Sequence, residues 1–136
     1  MPDSATRLNK LKLAAKHAMQ QAYAPYSKFK VGAAIFDDQG HFHAGCNVEN
    51  SAYPIGCCAE QAAVAAMILA GGQLIQDIVI VADKQNPCPP CGACRQIIAE
   101  HSQSKTRIHL IREDASIISY AVDDLLPQAF SSNHLL

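Results

Sequence analysis

The chain has 136 residues, of which 49% are apolar and 17% are charged, and its formal net charge is −1. This length and composition are typical of one globular domain, residues 1–136, with a single substantial core. Lys and Arg are scattered singly rather than grouped, so no nucleic acid partner is expected and a small neutral substrate fits better.

The sequence also lacks the segments that direct a chain to a membrane. No apolar run approaches the roughly 18 residues that a membrane span needs. Lysines interrupt the N-terminal region where the apolar core of a signal peptide would lie. No membrane partner is expected, and a cytoplasmic location is predicted. Without a targeting segment, the six cysteines are poor candidates for a disulfide framework.

The first predicted element is an amphipathic helix over residues 4–22. Apolar side chains recur at spacings of three and four, while lysine and glutamine fall on another face. Asp3 or Ser4 suits the N-cap, and Pro25 ends the pattern.

Two β-prone runs, residues 31–36 and 41–46, flank an Asp-Asp-Gln-Gly turn and predict a β-hairpin. His41 and His43 alternate with apolar residues in the second run, so their imidazoles share one face. They could serve as metal ligands, but the prediction for both is a solvent-facing position.

The polar segment 47–54 is predicted to be a loop, and its composition leaves two readings open. It is either a binding loop at the rim of a site or a plain connection with an Asx-type turn. Residues 59–70 then form a nearly all-apolar helix that Gly71-Gly72 stops and that is predicted to be buried on most sides. Glu60 near its start is expected to have a partner or a chemical task, because an unpaired buried carboxylate is costly.

Three strands and one more helix complete the predicted fold. Residues 78–82 are a continuous β-prone run typical of an interior parallel strand, residues 92–101 a helix, and residues 107–111 and 117–122 two further strands. This alternation after the hairpin indicates an α/β layered domain with a mixed sheet. In such sheets ligands bind beyond the carboxyl ends of strands, where the cysteine segments are expected to lie.

Three cysteines at the starts of two predicted helices indicate a zinc site. Cys91 and Cys94 form a Cys-x-x-Cys pair at one helix start, and Cys58 immediately precedes the other. A helix N-terminus lowers thiol pKa values, and thiolates about 2.3 Å from the ion suit tetrahedral Zn²⁺. With three protein ligands, the fourth position stays open for water, as in catalytic zinc sites.

Glu60 follows Cys58 by two residues. This spacing is too short for Glu60 to share the metal, but it suits a carboxylate that acts on a zinc-activated water. The order Cys-Ala-Glu and then Pro-Cys-x-x-Cys is the signature of zinc-dependent nucleobase deaminases. Because two motifs agree in order and spacing, the signal is much stronger than a lone Cys-x-x-Cys.

Three further cysteines are not used by this site. Cys46 is predicted to be a small core residue, and Cys57 is assigned no role. Cys88 extends the pair to Cys-x-x-Cys-x-x-Cys, so an iron–sulfur cluster or a four-cysteine structural zinc stays open. A non-catalytic zinc or redox protein is therefore an alternative.

Five blocks of the sequence resemble the small, homotetrameric zinc-dependent cytidine deaminases, and the likeness extends over nearly the whole chain. The blocks are residues 26–34, 45–50, 58–60, 90–96 and 125–130. The resemblance implies a three-layer α/β/α cytidine deaminase-like fold with a mixed, mostly five-stranded sheet. It also implies one Zn²⁺ per subunit and a homotetramer with active sites shared between subunits.

The resemblance also assigns binding roles. Asn47 and Glu49 would hold the ribose hydroxyls, which favours the binding reading of the polar loop. Phe29 would line the nucleoside pocket. Phe130 would reach the pyrimidine bound by a neighbouring subunit, and Tyr53 would lie at the same boundary. The plain alternatives are core packing for Phe29 and ordinary packing near the chain end for Phe130.

The implied reaction is the hydrolysis of cytidine or 2′-deoxycytidine to the corresponding uridine and ammonia, as in pyrimidine salvage. Cys58, Cys91 and Cys94 would hold the metal, and Glu60 would carry protons between water and the pyrimidine. A modified cytidine or another amino-substituted heterocycle is the alternative substrate.

One position departs from the family pattern. Gln61 follows the proposed acid–base residue, where the family usually has an Arg that partly neutralises the thiolates. Gln61 can donate hydrogen bonds to sulfur but supplies no charge, whereas Arg95, directly after Cys94, could compensate. The hypothesis is that Gln61 marks altered zinc electrostatics or a shifted substrate range.

Overall fold

A five-stranded mixed sheet forms the centre of the structure, a computed structural model that describes residues 2–135. Its strands lie in the order β2-β1-β3-β4-β5. The pair β3 and β4 is parallel, and the other three pairs are antiparallel. The strand bounds are β1 Val31–Asp37, β2 Phe42–Cys46, β3 Ile75–Ala82, β4 Arg107–Ile111 and β5 Ile117–Ala121.

Helices cover both faces of this sheet. Helix α1 packs on one face through Leu11 and Ala15, while α2 and α3 pack on the other through residues such as Met67 and Ile98. The predicted three-layer α/β/α arrangement is therefore confirmed. The helices are α1 Ser4–Gln20, α2 Ala59–Leu69, α3 Gly92–Glu100 and α4 Val122–Leu125, with 3₁₀ turns at Tyr53–Ile55 and Ser132–His134.

The first helix begins at its predicted cap. The Asp3 carboxylate accepts a 2.8 Å hydrogen bond from the backbone N–H of Thr6, which satisfies one of the free donors of the first turn. The helix ends at Gln20, two residues before the predicted limit.

Glycines on the hairpin let helices approach it closely from both sides. A Cβ at Gly32 would collide with the carbonyl oxygen of Ala15 in α1, and a Cβ at Gly45 would collide with the backbone of Ala59 and Ala63 in α2. The hairpin itself is confirmed. It places α2, which follows directly after Cys58, firmly against strand β2.

The prediction of two solvent-facing histidines is right for His41 and wrong for His43. The His43 side chain is 7% exposed, and its Nε2 lies 2.6 Å from Oδ2 of Asp37, which is fully buried. Burial opposes ionisation of Asp37, but hydrogen bonds from the His41 backbone, His43 and the Gln39 backbone outweigh it and lower the pKa of this carboxyl. His43 lies inside because the buried turn carboxylate needs a partner.

A second buried carboxylate lies on β3 and was not foreseen from the sequence. Oδ1 of Asp77 lies 2.8 Å from Nε2 of His109 on β4, and Oδ2 accepts a 2.9 Å hydrogen bond from Nε of Arg7 on α1. The other ring nitrogen of His109 lies 2.7 Å from Oγ of Ser119 on β5. This chain of polar contacts ties one helix to three strands.

Several element predictions need correction. Strand β3 is interior as expected but begins at Ile75, and it is parallel to β4 alone. Strand β5 ends at Ala121, where the Asp124 side chain accepts the backbone N–H and starts a helical turn. Helix α2 is not buried on most sides, because Ile68 is 45% exposed and Leu69 is 91% exposed.

Candidate active site

Two helix N-termini bring three cysteines together. Cys58 is the N-cap of α2, Cys91 is the N-cap of α3, and Cys94 lies in the first turn of α3. Their sulfur atoms all lie within 4.8 Å of one another. Neither cap cysteine uses its side chain to cap its helix. The group could therefore hold a metal ion, and a trio of sulfurs at this spacing fits tetrahedral zinc.

The close approach of the three cysteines affects the pKa values of their thiols. Hydrogen bonds from the thiols of Cys94 and Cys91 lower the pKa of Cys58 to about 6, against the effect of burial. The same contact with Cys58, together with burial, raises the pKa of Cys94. A group of thiols that hydrogen-bonds around one thiolate releases its remaining protons when a cation takes their place.

Glu60 lies beside this group in the first turn of α2. The residue is only 5% exposed, and burial raises the pKa of its carboxyl to about 6, with a smaller contribution from the Cys58 thiolate. A carboxyl with a pKa near neutrality can both hold and release a proton at physiological pH. This burial confirms the expectation that the side chain is not an ordinary surface charge.

The four-cysteine alternative is not supported by the geometry. Cys88 does not join the sulfur group formed by Cys58, Cys91 and Cys94, and in residues 2–135 no fourth His, Cys, Asp or Glu does so. Burial raises the pKa of Cys88 to about 11, and its thiol contacts the carbonyl oxygen of Pro89. A closed structural zinc or an iron–sulfur cluster would need a fourth protein ligand.

A cavity of about 470 Å³ connects the sulfur group with the polar loop. Cys58, Cys91 and Glu60 line one part of it, and Phe29, Asn47 and Glu49 line another. The cavity therefore joins residues from segments that lie far apart in the sequence. Phe29 also packs against the core cluster, so its two proposed roles are compatible.

The polar loop is held in place by its own side chains. Asn47 donates to the carbonyl oxygen of Phe29 at 2.9 Å and accepts from the backbone N–H of Val31 at 2.8 Å. The Glu49 carboxylate accepts from the hydroxyl and N–H of Ser27 and from the N–H of Tyr26. The contacts with Ser27 lead the effects that lower the pKa of Glu49. Both loop side chains keep unused hydrogen-bonding capacity.

Two of the expected binding residues lie outside the main cavity. Tyr53 is 75% exposed and lines a neighbouring cavity of about 400 Å³, which shares Ser27 and Glu49 with the first. Phe130 is 57% exposed and stacks on His134 at a ring distance of 5.2 Å. Their predicted role at a boundary between subunits stays a prediction.

Comparison with known proteins decides the family. The model of the cytidine and deoxycytidylate deaminase zinc-binding region matches residues 5–110. This chain belongs to that deaminase family. The match contains all three clustered cysteines and Glu60, so zinc is the metal that the family and the sulfur group agree on.

Named relatives of the deaminase family cover nearly the whole chain. The cytidine deaminase of Sporosarcina psychrophila is 42% identical over 128 residues, which are 94% of each chain. The cytidine deaminase of Mycobacterium tuberculosis H37Rv is 39% identical over 135 residues, or 99% of this chain and 96% of the relative. The crystal structure of cytidine deaminase from Burkholderia pseudomallei superposes with a TM-score of 0.83 at 40% identity, covering 90% of this chain and 98% of that one.

The fold is thus that of the cytidine deaminases. Among helices in the described part of the chain, none is long and apolar enough to cross a membrane.

Within residues 2–135, neither of the two residues invoked for charge balance in this deaminase site donates a hydrogen bond to a cysteine sulfur. Gln61 is exposed, and its side chain makes no hydrogen bond with any other residue in the range 2–135. Arg95 donates to the carbonyl oxygen of Pro90 at 2.8 Å and to that of Leu125 at 2.9 Å. Through these hydrogen bonds Arg95 braces the segment before Cys91, and its compensation of the thiolate charge stays a prediction.

The sequence did not predict a site role for Ser27, which lies between the two cavities. Ser27 lines both cavities and hydrogen-bonds to Glu49. It stands within the first block of residues that resembles the deaminases, but a single serine carries no spacing pattern that could have marked it.

Proposed function

We propose that this chain is a zinc-dependent cytidine deaminase that hydrolyses cytidine and 2′-deoxycytidine to uridine and 2′-deoxyuridine with release of ammonia, as in pyrimidine salvage. One observation carries the proposal: the nearly fully buried Glu60 lies beside three clustered sulfurs, in a cavity that also contains the polar loop. The named cytidine deaminases that match the chain at about 40% identity support the same reaction.

Cys58, Cys91 and Cys94 are the residues that would hold one zinc ion per subunit. When bound by three thiolates, zinc supplies the Lewis acidity that makes a water molecule nucleophilic near neutral pH. The protein contributes the position: both cap cysteines are fixed by the helices that they begin, and α2 and α3 contact each other.

Glu60 is the group that moves protons. Exchange of the C4 amino group for oxygen needs a proton at ring N3 and another at the departing nitrogen, and both originate from the attacking water. A carboxyl whose pKa is raised to about 6 accepts a proton from that water and returns it to the pyrimidine. Its burial keeps bulk water from competing for these transfers.

Phe29, Asn47 and Glu49 would bind the nucleoside. Asn47 keeps one amide N–H and Glu49 keeps acceptor capacity, which together suit the donor and acceptor needs of sugar hydroxyls. Among the described residues that line the two cavities there is no Lys or Arg, whereas two glutamates are present. This charge balance favours an unphosphorylated nucleoside over a nucleotide.

We also propose that the protein is a cytoplasmic homotetramer with active sites shared between subunits. Exposed apolar side chains support a subunit interface: Ile68 and Leu69 on α2, Tyr53 beside the cavities, and Phe130 near the chain end. A neighbouring subunit that covers Tyr53 and supplies Phe130 would complete the pyrimidine end of the site.

The activity is tested by the loss of ultraviolet absorbance when protein of measured zinc content meets cytidine. We expect turnover by the wild type and none by zinc-loaded Glu60→Ala, whereas Glu100→Ala, at an exposed glutamate of α3, should remain active. Zinc-loaded wild type without turnover would point to another amino-substituted heterocycle, to be sought by ammonia release. Full activity in Glu60→Ala would show that Glu60 does not carry the protons, whereas zinc-loaded wild type that releases ammonia from no such substrate would favour a non-catalytic zinc protein.

A further inference from the structure

Ser27 lines both cavities and links two residues of the proposed binding site, Glu49 and Phe29. Its hydroxyl donates to Oε2 of Glu49 and accepts a 3.0 Å hydrogen bond from the backbone N–H of Phe29. Its own N–H donates to Oε1 of Glu49 at 3.0 Å. One side chain thus contacts both the carboxylate assigned to the sugar and the backbone of Phe29, an aromatic residue that lines the same cavity.

Three hydrogen bonds hold the Glu49 carboxylate in one orientation. Oε1 accepts two backbone N–H groups, from Tyr26 and Ser27, and Oε2 accepts the Ser27 hydroxyl. A carboxylate offers about four acceptor positions, so about one remains, on Oε2. Because Glu49 lines the cavity, this is the position that a sugar hydroxyl can use.

The hydrogen bond between the Ser27 hydroxyl and the N–H of Phe29 also constrains the backbone at Lys28, the residue between them. Lys28 has a φ of 57°, a left-handed conformation that a lysine adopts only when its surroundings hold it. The Ser27 hydroxyl fixes the N–H of Phe29 after Lys28, and Asn47 fixes the carbonyl oxygen of Phe29. The backbone of Phe29 is therefore clamped from both sides.

We propose that Ser27 is a positioning residue for nucleoside recognition. Its hydroxyl aims the free acceptor position of Glu49 at a ribose hydroxyl and fixes the backbone of Phe29 beside the same cavity. The terminal torsion of a glutamate is broad, so without the hydroxyl the carboxylate samples orientations that do not meet the sugar. The inference rests on the proposed function, because it assigns Glu49 to the sugar.

The test compares Ser27→Ala with Ser27→Thr, which keeps a hydroxyl. We expect the alanine variant to raise the KM for cytidine about tenfold, the effect of one lost hydrogen bond to a charged group. Its kcat should stay within about twofold and its zinc content unchanged, because the contact is made with substrate and transition state alike. Ser27→Thr should restore the wild-type KM.

A substrate without the sugar hydroxyls makes the test specific. With 2′,3′-dideoxycytidine the wild type already lacks the contact with Glu49, so Ser27→Ala should change its KM much less than that of cytidine. The matched control is Ser116→Ala. The N–H and hydroxyl of Ser116 both donate to Oδ1 of Asp114, as those of Ser27 do to Glu49, but in a turn that lines neither cavity. The control should leave both KM values unchanged.

Several outcomes would overturn the inference. These are an unchanged KM for cytidine in Ser27→Ala, an equal rise in KM for both substrates, or a threonine variant that behaves like alanine. Calorimetric binding of uridine and 2′,3′-dideoxyuridine gives the same comparison without catalysis. Wild type that fails to deaminate cytidine would reject the proposed function, whereas a loss of uridine affinity confined to Ser27→Ala would still support the role of Ser27.

Discussion

Nε of Arg95 donates a 2.8 Å hydrogen bond to the carbonyl oxygen of Pro90, the residue directly before the first cysteine of the Cys-x-x-Cys pair. A terminal nitrogen of the same guanidinium donates a 2.9 Å hydrogen bond to the carbonyl oxygen of Leu125, the last residue of α4. Arg95 thus joins the loop before Cys91 to the segment that leads to Phe130, whose own carbonyl oxygen accepts from Gln96.

We expect Arg95→Ala to weaken zinc retention. Each lost hydrogen bond from a charged donor to a carbonyl costs about 1.5–3 kcal/mol, and the segment before Cys91 gains freedom that zinc binding must then remove. Zinc release to increasing concentrations of a chelator measures the effect. Arg95→Lys should lie between wild type and alanine, because lysine donates without the planar fork of arginine. Equal retention in Arg95→Ala and in the surface control Arg112→Ala would refute the bracing role.

Zinc removal should abolish activity and lower the thermal unfolding midpoint. A ligand present at 1,000 times its Kd stabilises the folded state by about 4 kcal/mol, and zinc held by Cys58 and the Cys91–Cys94 pair would also link α2 to α3. Differential scanning calorimetry with and without chelator measures the shift, and added zinc should reverse it. Cys91→Ser should lose zinc, whereas Cys88→Ser should keep it, because Cys88 lies outside the sulfur group. Zinc loss in Cys88→Ser would reopen the four-cysteine reading.

The Asp77 carboxylate should contribute stability that disappears in acid. Burial opposes its ionisation, but the contacts with His109 and Arg7 outweigh burial and lower its pKa from the ordinary value of an aspartate. A carboxylate with a depressed folded pKa stabilises the protein above its unfolded pKa and loses this contribution as pH falls through the folded pKa. Asp77→Asn should therefore be less stable at pH 7, by about 1–3 kcal/mol for an unpaired buried partner.

The difference between Asp77→Asn and wild type should narrow below about pH 4. Denaturant unfolding from pH 7 to pH 3 gives the comparison, with both proteins kept in chelator so that proton competition for the cysteines does not contribute. Two parallel stability curves would show that Asp77 is not the source of the acid dependence.

Gln61→Arg tests whether the departure from the family pattern matters. A cation near the start of α2 should offset the negative charge of the thiolates, so we expect slower zinc release and a pH–rate profile shifted to lower pH. The exposed Gln61 has room for the larger side chain. If zinc release, the pH–rate profile and the ranking of cytidine analogues all stay as in the wild type, Gln61 has no special electrostatic role.

Ala115→Gly should stabilise the turn between β4 and β5. Ala115 has a φ of 70°, which disfavours any residue with a Cβ by about 1 kcal/mol. The carbonyl oxygen of Ala115 accepts from Lys12, a contact that glycine keeps. We expect a gain of up to about 1 kcal/mol in the free energy of unfolding, whereas Ala44→Gly on strand β2 should cost about 0.5–1 kcal/mol. A loss of stability in Ala115→Gly would show that the turn is not strained.

The parts of this protein that the sequence predicted share one property: their signals are local. The spacing of Cys91 and Cys94, the Cys-x-Glu step to Glu60 and the turn before β2 each depend on a few consecutive residues. The buried positions of His43 and Asp77 could not be read in this way, because they depend on a cross-strand neighbour and on a helix from the start of the chain. Ser27 escaped notice for the same reason, since its partner Glu49 is set opposite it by the fold.

Gly45 determines the distance between strand β2 and helix α2, and therefore the position of the site residues at the start of α2. The backbone atoms that a Cβ at Gly45 would strike belong to Ala59 and Ala63, and Ala59 stands between Cys58 and Glu60. One added methyl group on the hairpin would therefore displace the first turn of α2 and move Cys58, a proposed zinc ligand, together with Glu60, the proposed proton carrier. A displacement of about 1 Å can cost 100-fold in rate. The absence of a side chain at Gly45 therefore determines how closely the start of α2, and with it the site, can approach the sheet.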